Sequence, residues 1–162
     1  MVAGSGDPLL ADDAVSVIRE VLLPRATVVT PNVPEAGLLL GRELADDDAQ
    51  LRAAARELHA SSAVAVVLKG GHRSGDADDL LVHDGIETVL EAERIPGTFT
   101  HGTGCTLSSA IAALLARGHA LPEAVARGKE YVTRAIADGV QLGGGQGNLH
   151  FFWEYYGSEG LP

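Results

Sequence analysis

The feature that most constrains the fold is the run Ala63-Val64-Ala65-Val66-Val67-Leu68. Small and branched apolar residues without polar alternation suit a strand covered on both faces, as in a parallel sheet. The run opens directly onto Lys69-Gly70-Gly71-His72. A glycine pair at the C-terminal end of a strand is where open α/β sheets bind ligands. The same pair would also serve a plain turn, with His72 as an exposed loop residue. Upstream, Asp12 or Asp13 caps a helix to about Leu23, with Val15, Ile18, Val21 and Leu22 near one face. Pro24 stops it. Thr27-Val28-Val29-Thr30 reads as a short strand that Pro31 ends. Pro34 is well placed at the start of a helix through Leu40, with Asn32 as its cap and Gly41 as its stop. Asp46-Asp47-Asp48 reads as a solvated, dipole-favoured start to a helix from about Ala49 to Ala60. This strand–helix alternation predicts an α/β fold, with helices on both sides of a parallel sheet and right-handed crossovers.

Past Lys69 the pattern changes. Arg73 to Asp79 reads as a polar loop. Leu80 to His83, Asp84-Gly85, and Glu87 to Ala92 read as a hairpin, because Asp-Gly is a strong turn signal. Then comes Phe99-Thr100-His101-Gly102-Thr103-Gly104-Cys105-Thr106, a small-residue turn running into an apolar helix, Leu107 to Arg117. Gly102 and Gly104 let the backbone bend sharply and approach a bound group. The first amides of the following helix lack intrahelical partners, and with the helix dipole they favour an anion. A cysteine at such a helix start can act as nucleophile or base. The alternative is a simple turn with Cys105 as a small buried hydrophobe. Gly118 breaks the helix, and Leu121 starts a last long one to about Ala137. Lys129 and Arg134 on it read as surface charge. His150 to Tyr156 holds most of the aromatic residues and is expected to pack back on the body or on a partner subunit.

Composition narrows the function classes. The 162 residues suit a single domain, 1–162, with no internal repeat. Twelve basic against 22 acidic residues give a net charge of −10, which disfavours nucleic acid and anionic membrane as partners. The one cysteine excludes an internal disulfide and fits a reducing compartment. No apolar run approaches the length of a membrane span, and residues 1–10 lack the pattern of a signal peptide, so a cytoplasmic location is expected.

Three separated pieces carry a resemblance: Thr30-Pro31-Asn32-x-x-Glu35-Ala36, Lys69-Gly70-Gly71-His72, and Thr100-His101-Gly102-Thr103-Gly104-Cys105-Thr106-Leu107-Ser108-Ser109-Ala110. In that order they resemble the hydroxymethylpyrimidine/phosphomethylpyrimidine kinases of thiamine biosynthesis, within the ribokinase-like superfamily. Most of that superfamily carries Asp where Cys105 stands. The likeness runs from Met1 to about Phe152 and covers the C-terminal three-fifths of the usual family chain. The ending Gly145 to Phe152 departs from the family's usual Gly-His-Gly-Pro-Leu-Asn-His-Phe.

The resemblance implies a three-layer ribokinase-like fold with a mainly parallel sheet, its N-terminal portion absent. It implies transfer of the ATP γ-phosphoryl group to a pyrimidine hydroxymethyl group or to its monophosphate. The amides of Gly102, Thr103, Gly104 and Cys105 would hold the transferring group, with Cys105 as general base. Lys69, Gly70, Gly71, Thr103 and Lys129 would line the nucleotide, and Asn32 and Glu35 would organise Mg²⁺, through water if not directly. The family's substrate loop has no counterpart here, so the chain alone is expected to have little activity. Its exposed edges would favour self-association or a separately supplied N-terminal half. Pyridoxal kinase of the same superfamily and a non-catalytic nucleotide-binding module are the alternatives.

Overall fold

The computed structural model describes residues 12–62, 64–71, 75–97, 101–141, 143–145 and 147–156. They fall into two compact units, one within Met1–Arg94 and one within Ile95–Pro162. The sequence had pointed to one domain over the whole chain.

In the first unit, α1 (Asp12–Val17) passes into a π-helical turn (Ile18–Leu22) and a 3₁₀ turn (Leu23–Arg25). The expected single helix to Leu23 is therefore drawn tighter where Pro24 enters. β1 (Val28–Val29) follows, then α2 (Val33–Leu40), whose end is set by Gly41 at φ 69°. Asp47 accepts a hydrogen bond from the Gln50 N–H at 2.9 Å and so starts α3 (Asp48–Ser62). β2 (Ala65–Leu68) is buried along its whole length, as its unbroken apolar run requires. Ala63 and His72 to Ser74 lie outside the described residues.

β3 (Asp79–His83) and β4 (Ile86–Leu90) form the expected hairpin. Asp84 at φ 51° and Gly85 at φ 75° supply the two positive dihedrals of a tight hairpin turn. Asp79 opens β3 and is buried, so the polar loop ends one residue earlier than its composition implied. The strand order is β1-β2-β3-β4, with β1–β2 parallel and the other two pairings antiparallel. Among the described strands the sheet is thus mixed, whereas a mainly parallel one was expected. The reason is that β3 returns directly through a short loop and no helix intervenes to bring it round. Leu39, Leu51, Leu58, Val66, Leu68 and Val82 form the centre of the core.

In the second unit, α4 (Thr103–Ala116) lies against α5 (Leu121–Ala137), followed by the short α6 (Trp153–Tyr156). Helix α4 starts four residues before the expected Leu107. Gly102 takes φ 81°, and Thr103 to Thr106 already form the first turn, so the motif's small residues belong to the helix. Gly128 lets the two helices approach: a Cβ there would lie 2.9 Å from Ile111 Cγ1. The tail folds back on α5 in part. His150 is buried and donates its N–H to the Ala135 carbonyl, and Trp153 meets Tyr131 at 6.1 Å between ring centroids. Phe151, Phe152, Tyr155 and Tyr156 stay exposed. Among the described residues no helix is long and apolar enough to cross a membrane.

On the outer face, Arg52 and Arg56 of α3 both grip Glu87 of β4, Arg52 at 2.9 Å. Those hydrogen bonds, the Arg56 one first, hold the Glu87 carboxyl below its ordinary range. A depressed carboxyl contributes stability above its unfolded value of 4.5, and that contribution fades as pH falls through the folded value. Glu87→Gln should therefore melt a few degrees below wild type at pH 7, with the gap closing below about pH 4. Thermal melts of both proteins from pH 7 to pH 3 check it; a gap that holds constant would count against the ion-pair contribution.

Candidate active site

In the first unit the parallel bridge does not stop with β1 and β2. Asn32, three residues past β1, pairs with Lys69, one residue past β2, and the Lys69 N–H donates to the Pro31 carbonyl at 2.9 Å. Three residues from two separate sequence motifs therefore meet. Asn32 caps α2: its Oδ1 accepts the Glu35 N–H at 2.8 Å, and Glu35 Oε2 accepts the Asn32 N–H at 2.9 Å. Lys69 Nζ lies 3.9 Å from the same Glu35 oxygen, and both side chains are mostly buried. The cap is the structural role expected of Asn32, and it also fixes where the Glu35 carboxylate stands.

That pair offers a cation an Asn carbonyl oxygen and a carboxylate, both hard donors. Among the described residues no group of three His, Cys, Asp or Glu side chains is placed to hold a metal. So few protein oxygens fit Mg²⁺, which keeps several waters and is usually completed by substrate phosphates. They do not make an all-protein cage.

The glycine pair divides its work. Gly70 donates its N–H to Asp79 Oδ1 at 2.8 Å, and a side chain on it would run into the Asp78 carbonyl oxygen. Its amide is thus committed inside the protein, and its lack of a side chain serves packing. Gly71 is exposed with open space around it. Its carbonyl accepts from Arg94 Nη1 at 3.0 Å. Asp79 and Arg94 went unnoticed in the sequence. The available signal was Asp79 standing directly before the apolar run Leu80-Leu81-Val82, where a carboxylate is costly unless bonded.

In the second unit, Gly102 supplies no side-chain cap to α4, and the first hydrogen bond of the helix runs from the Thr106 N–H to the Gly102 carbonyl at 2.9 Å. Among the described residues no acceptor meets the N–H groups of Gly104 and Cys105. These amides and the helix dipole present positive potential at the α4 start. Cys105 is exposed, which removes the buried-hydrophobe alternative. It lines a groove of about 880 Å³ with Ser109, Arg117, Arg127, Tyr131 and Trp153. Tyr131 donates its O–H to the Phe151 carbonyl at 2.7 Å. Burial, with the Glu154 carboxylate adding to it, holds that hydroxyl above its ordinary range, so it stays a neutral donor. Lys129 is half-buried on α5.

The α/β fold is that of the ribokinase-like kinases. Solved structures share the fold. The ADP complex of Bacillus subtilis pyridoxal kinase matches with TM-score 0.83 and 36% identity over 90% of this chain and 55% of that one. The phosphomethylpyrimidine kinase of Clostridium difficile 630 matches with TM-score 0.70 and 36% identity over 84% of this chain and 54% of that one. The family model for phosphomethylpyrimidine kinase matches residues 1–150, and the chain belongs to that family of phosphotransferases. The hydroxymethylpyrimidine/phosphomethylpyrimidine kinase of Rhizobium meliloti (strain 1021) is 48% identical over 159 residues, 96% of this chain. The chain spans 60% of that relative's length.

The two glycines should respond differently to the same change. Gly70→Ala forces the turn off the Asp78 carbonyl and should cost about 1–3 kcal/mol, an overpacking penalty. Gly71→Ala should be nearly neutral. Denaturant unfolding of both variants checks the contrast, and equal losses would contradict the packing described for Gly70.

Proposed function

We propose that the chain carries the nucleotide and phosphoryl-transfer parts of a hydroxymethylpyrimidine/phosphomethylpyrimidine kinase. The observation that carries the reading is the α4 start: open amides at Gly104 and Cys105, with the Cys105 thiol exposed beside them. Phosphoryl transfer asks a protein mainly for positioning and charge neutralisation. The amides from Gly102 to Cys105 bind the transferring oxygens, a kind of stabilisation typically worth a few kcal/mol at the transition state. Cys105 acts as the general base that takes the proton from the substrate hydroxyl. The freed oxygen bonds to the γ-phosphorus, the bond from that phosphorus to the bridging oxygen breaks, and ADP leaves. Within the first unit Lys69, with Gly71 beside it, offsets phosphate charge; within the second, Thr103 and Lys129 are the residues offered to a nucleotide. Gly70 acts through the turn it packs. Asn32 and Glu35 would hold Mg²⁺, which when bound would neutralise phosphate charge.

Because the chain spans about three-fifths of its Rhizobium relative, turnover by the 162 residues alone is expected to be very low. A second reading, phosphorylation of pyridoxal, draws on the likeness to the Bacillus pyridoxal kinase. ATP binding without turnover, restored by a separately supplied remaining segment, would mark the chain as a module of a split enzyme.

A coupled ADP-release assay with hydroxymethylpyrimidine, and with pyridoxal as competitor, tests these readings. Robust turnover by the isolated chain would refute the need for the remaining segment, and faster turnover of pyridoxal would transfer the assignment to it. In a chain completed with that segment, Cys105→Ala should lower kcat by about 10²–10⁴, the span of general-base contributions, with nucleotide affinity kept. Unchanged kcat would remove Cys105 from the base role.

A further inference from the structure

We propose that Asp79 is a positioning residue for nucleotide binding: its buried carboxylate locks the turn that aims Lys69. The inference rests on the reading of Lys69 as a phosphate-binding residue. Asp79 is 4% exposed and begins a strand whose next three residues, Leu80, Leu81 and Val82, are buried. A carboxylate so placed is costly unless it is hydrogen-bonded, and an apolar residue would fill the position at lower cost. What the carboxylate does is accept the Gly70 N–H at 2.8 Å. The residue thus holds the peptide immediately after Lys69.

The rest of the turn is fixed around that bond. The Lys69 N–H is held by the Pro31 carbonyl on the other side. Gly70 lies against the Asp78 backbone with no room for a side chain. Arg94 grips the Gly71 carbonyl at 3.0 Å and the Gly75 carbonyl at 2.7 Å. The Ala92 N–H donates to Asp78 Oδ1 at 2.8 Å and ties the entry of β3 to the segment after β4. Lys69 is therefore anchored at both of its peptide bonds, which leaves its side chain directed toward Glu35. Without the Asp79 acceptor the Gly70 N–H is buried and unbonded, the turn swings to satisfy it, and Lys69 loses its direction.

The test uses the 162-residue chain with Mg·ADP as the probe, measuring affinity by calorimetry and Gly70 amide exchange by NMR. Asp79→Ala should speed Gly70 exchange and weaken Mg·ADP by about tenfold, the scale of one lost charge-assisted hydrogen bond. Asp79→Asn keeps an acceptor oxygen and should bind within about threefold of wild type. Lys69→Ala should lose as much as Asp79→Ala, and the double variant should lose no more than either, because both act through one group. If Asp79→Ala does not fold, Asp79→Val, which also lacks an acceptor, takes its place. Wild-type affinity in the folded Asp79 variant, additive losses, or failure of Asn to rescue would each overturn the proposal. Lys69→Ala binding as well as wild type would overturn the phosphate reading itself, whatever Gly70 exchange shows for Asp79.

Discussion

The bond from the Lys69 N–H to the Pro31 carbonyl is the constraint on which the first unit's site depends. It carries the parallel pairing beyond the strands, to Asn32 three residues past β1 and Lys69 one residue past β2. There the chain that leaves β1 must turn into α2, and the chain that leaves β2 must turn back toward β3. Both turns are therefore locked together. Asn32, Glu35 and Lys69 come from motifs more than thirty residues apart in sequence, and one ladder rung sets their spacing. The capping box then holds the Glu35 carboxylate in place, so a residue needed for helix stability also presents charge at the strand ends.

Much of this was legible in the residues. The unbroken apolar run gave β2, Asp84-Gly85 gave the hairpin, and Pro34 with Asn32 and Gly41 gave α2 with both of its ends. Those signals are local, because each depends on the dihedral preferences or burial of a few neighbouring residues. The start of α4 was placed late, since glycine and threonine are weak helix formers and the turn's composition concealed a helical first turn. The direction of β3 followed from a loop too short for a parallel crossover, but its polar composition did not show which strand β3 would pair with. Asp79 was missed for the same reason. Its acceptor role appears only when Gly70 is brought beside it by the sheet.

The second unit solves a different problem. The anion site proposed at the α4 start needs amides that are open yet firmly placed. Gly102 gives the backbone reversal, and α5 gives the firmness through its contact along Leu107 and Ile111. The aromatic tail also packs against α5, with Arg134 5.3 Å from the centre of the Trp153 ring and Tyr131 bonded to the Phe151 carbonyl. Family membership fits this division of labour, since the family's chemistry depends on placing phosphate groups more than on making covalent intermediates.

The close meeting of α4 and α5 at Gly128 carries an evolutionary corollary. Because Ile111 fills the space a side chain would need, the two positions form a lock and its key across the helix pair. Any lineage that gains bulk at 128 must first shrink 111 or let the helices drift apart. Drift would carry the mouth of α4 with it, so two residues remote from any reacting atom would be expected to change only in concert.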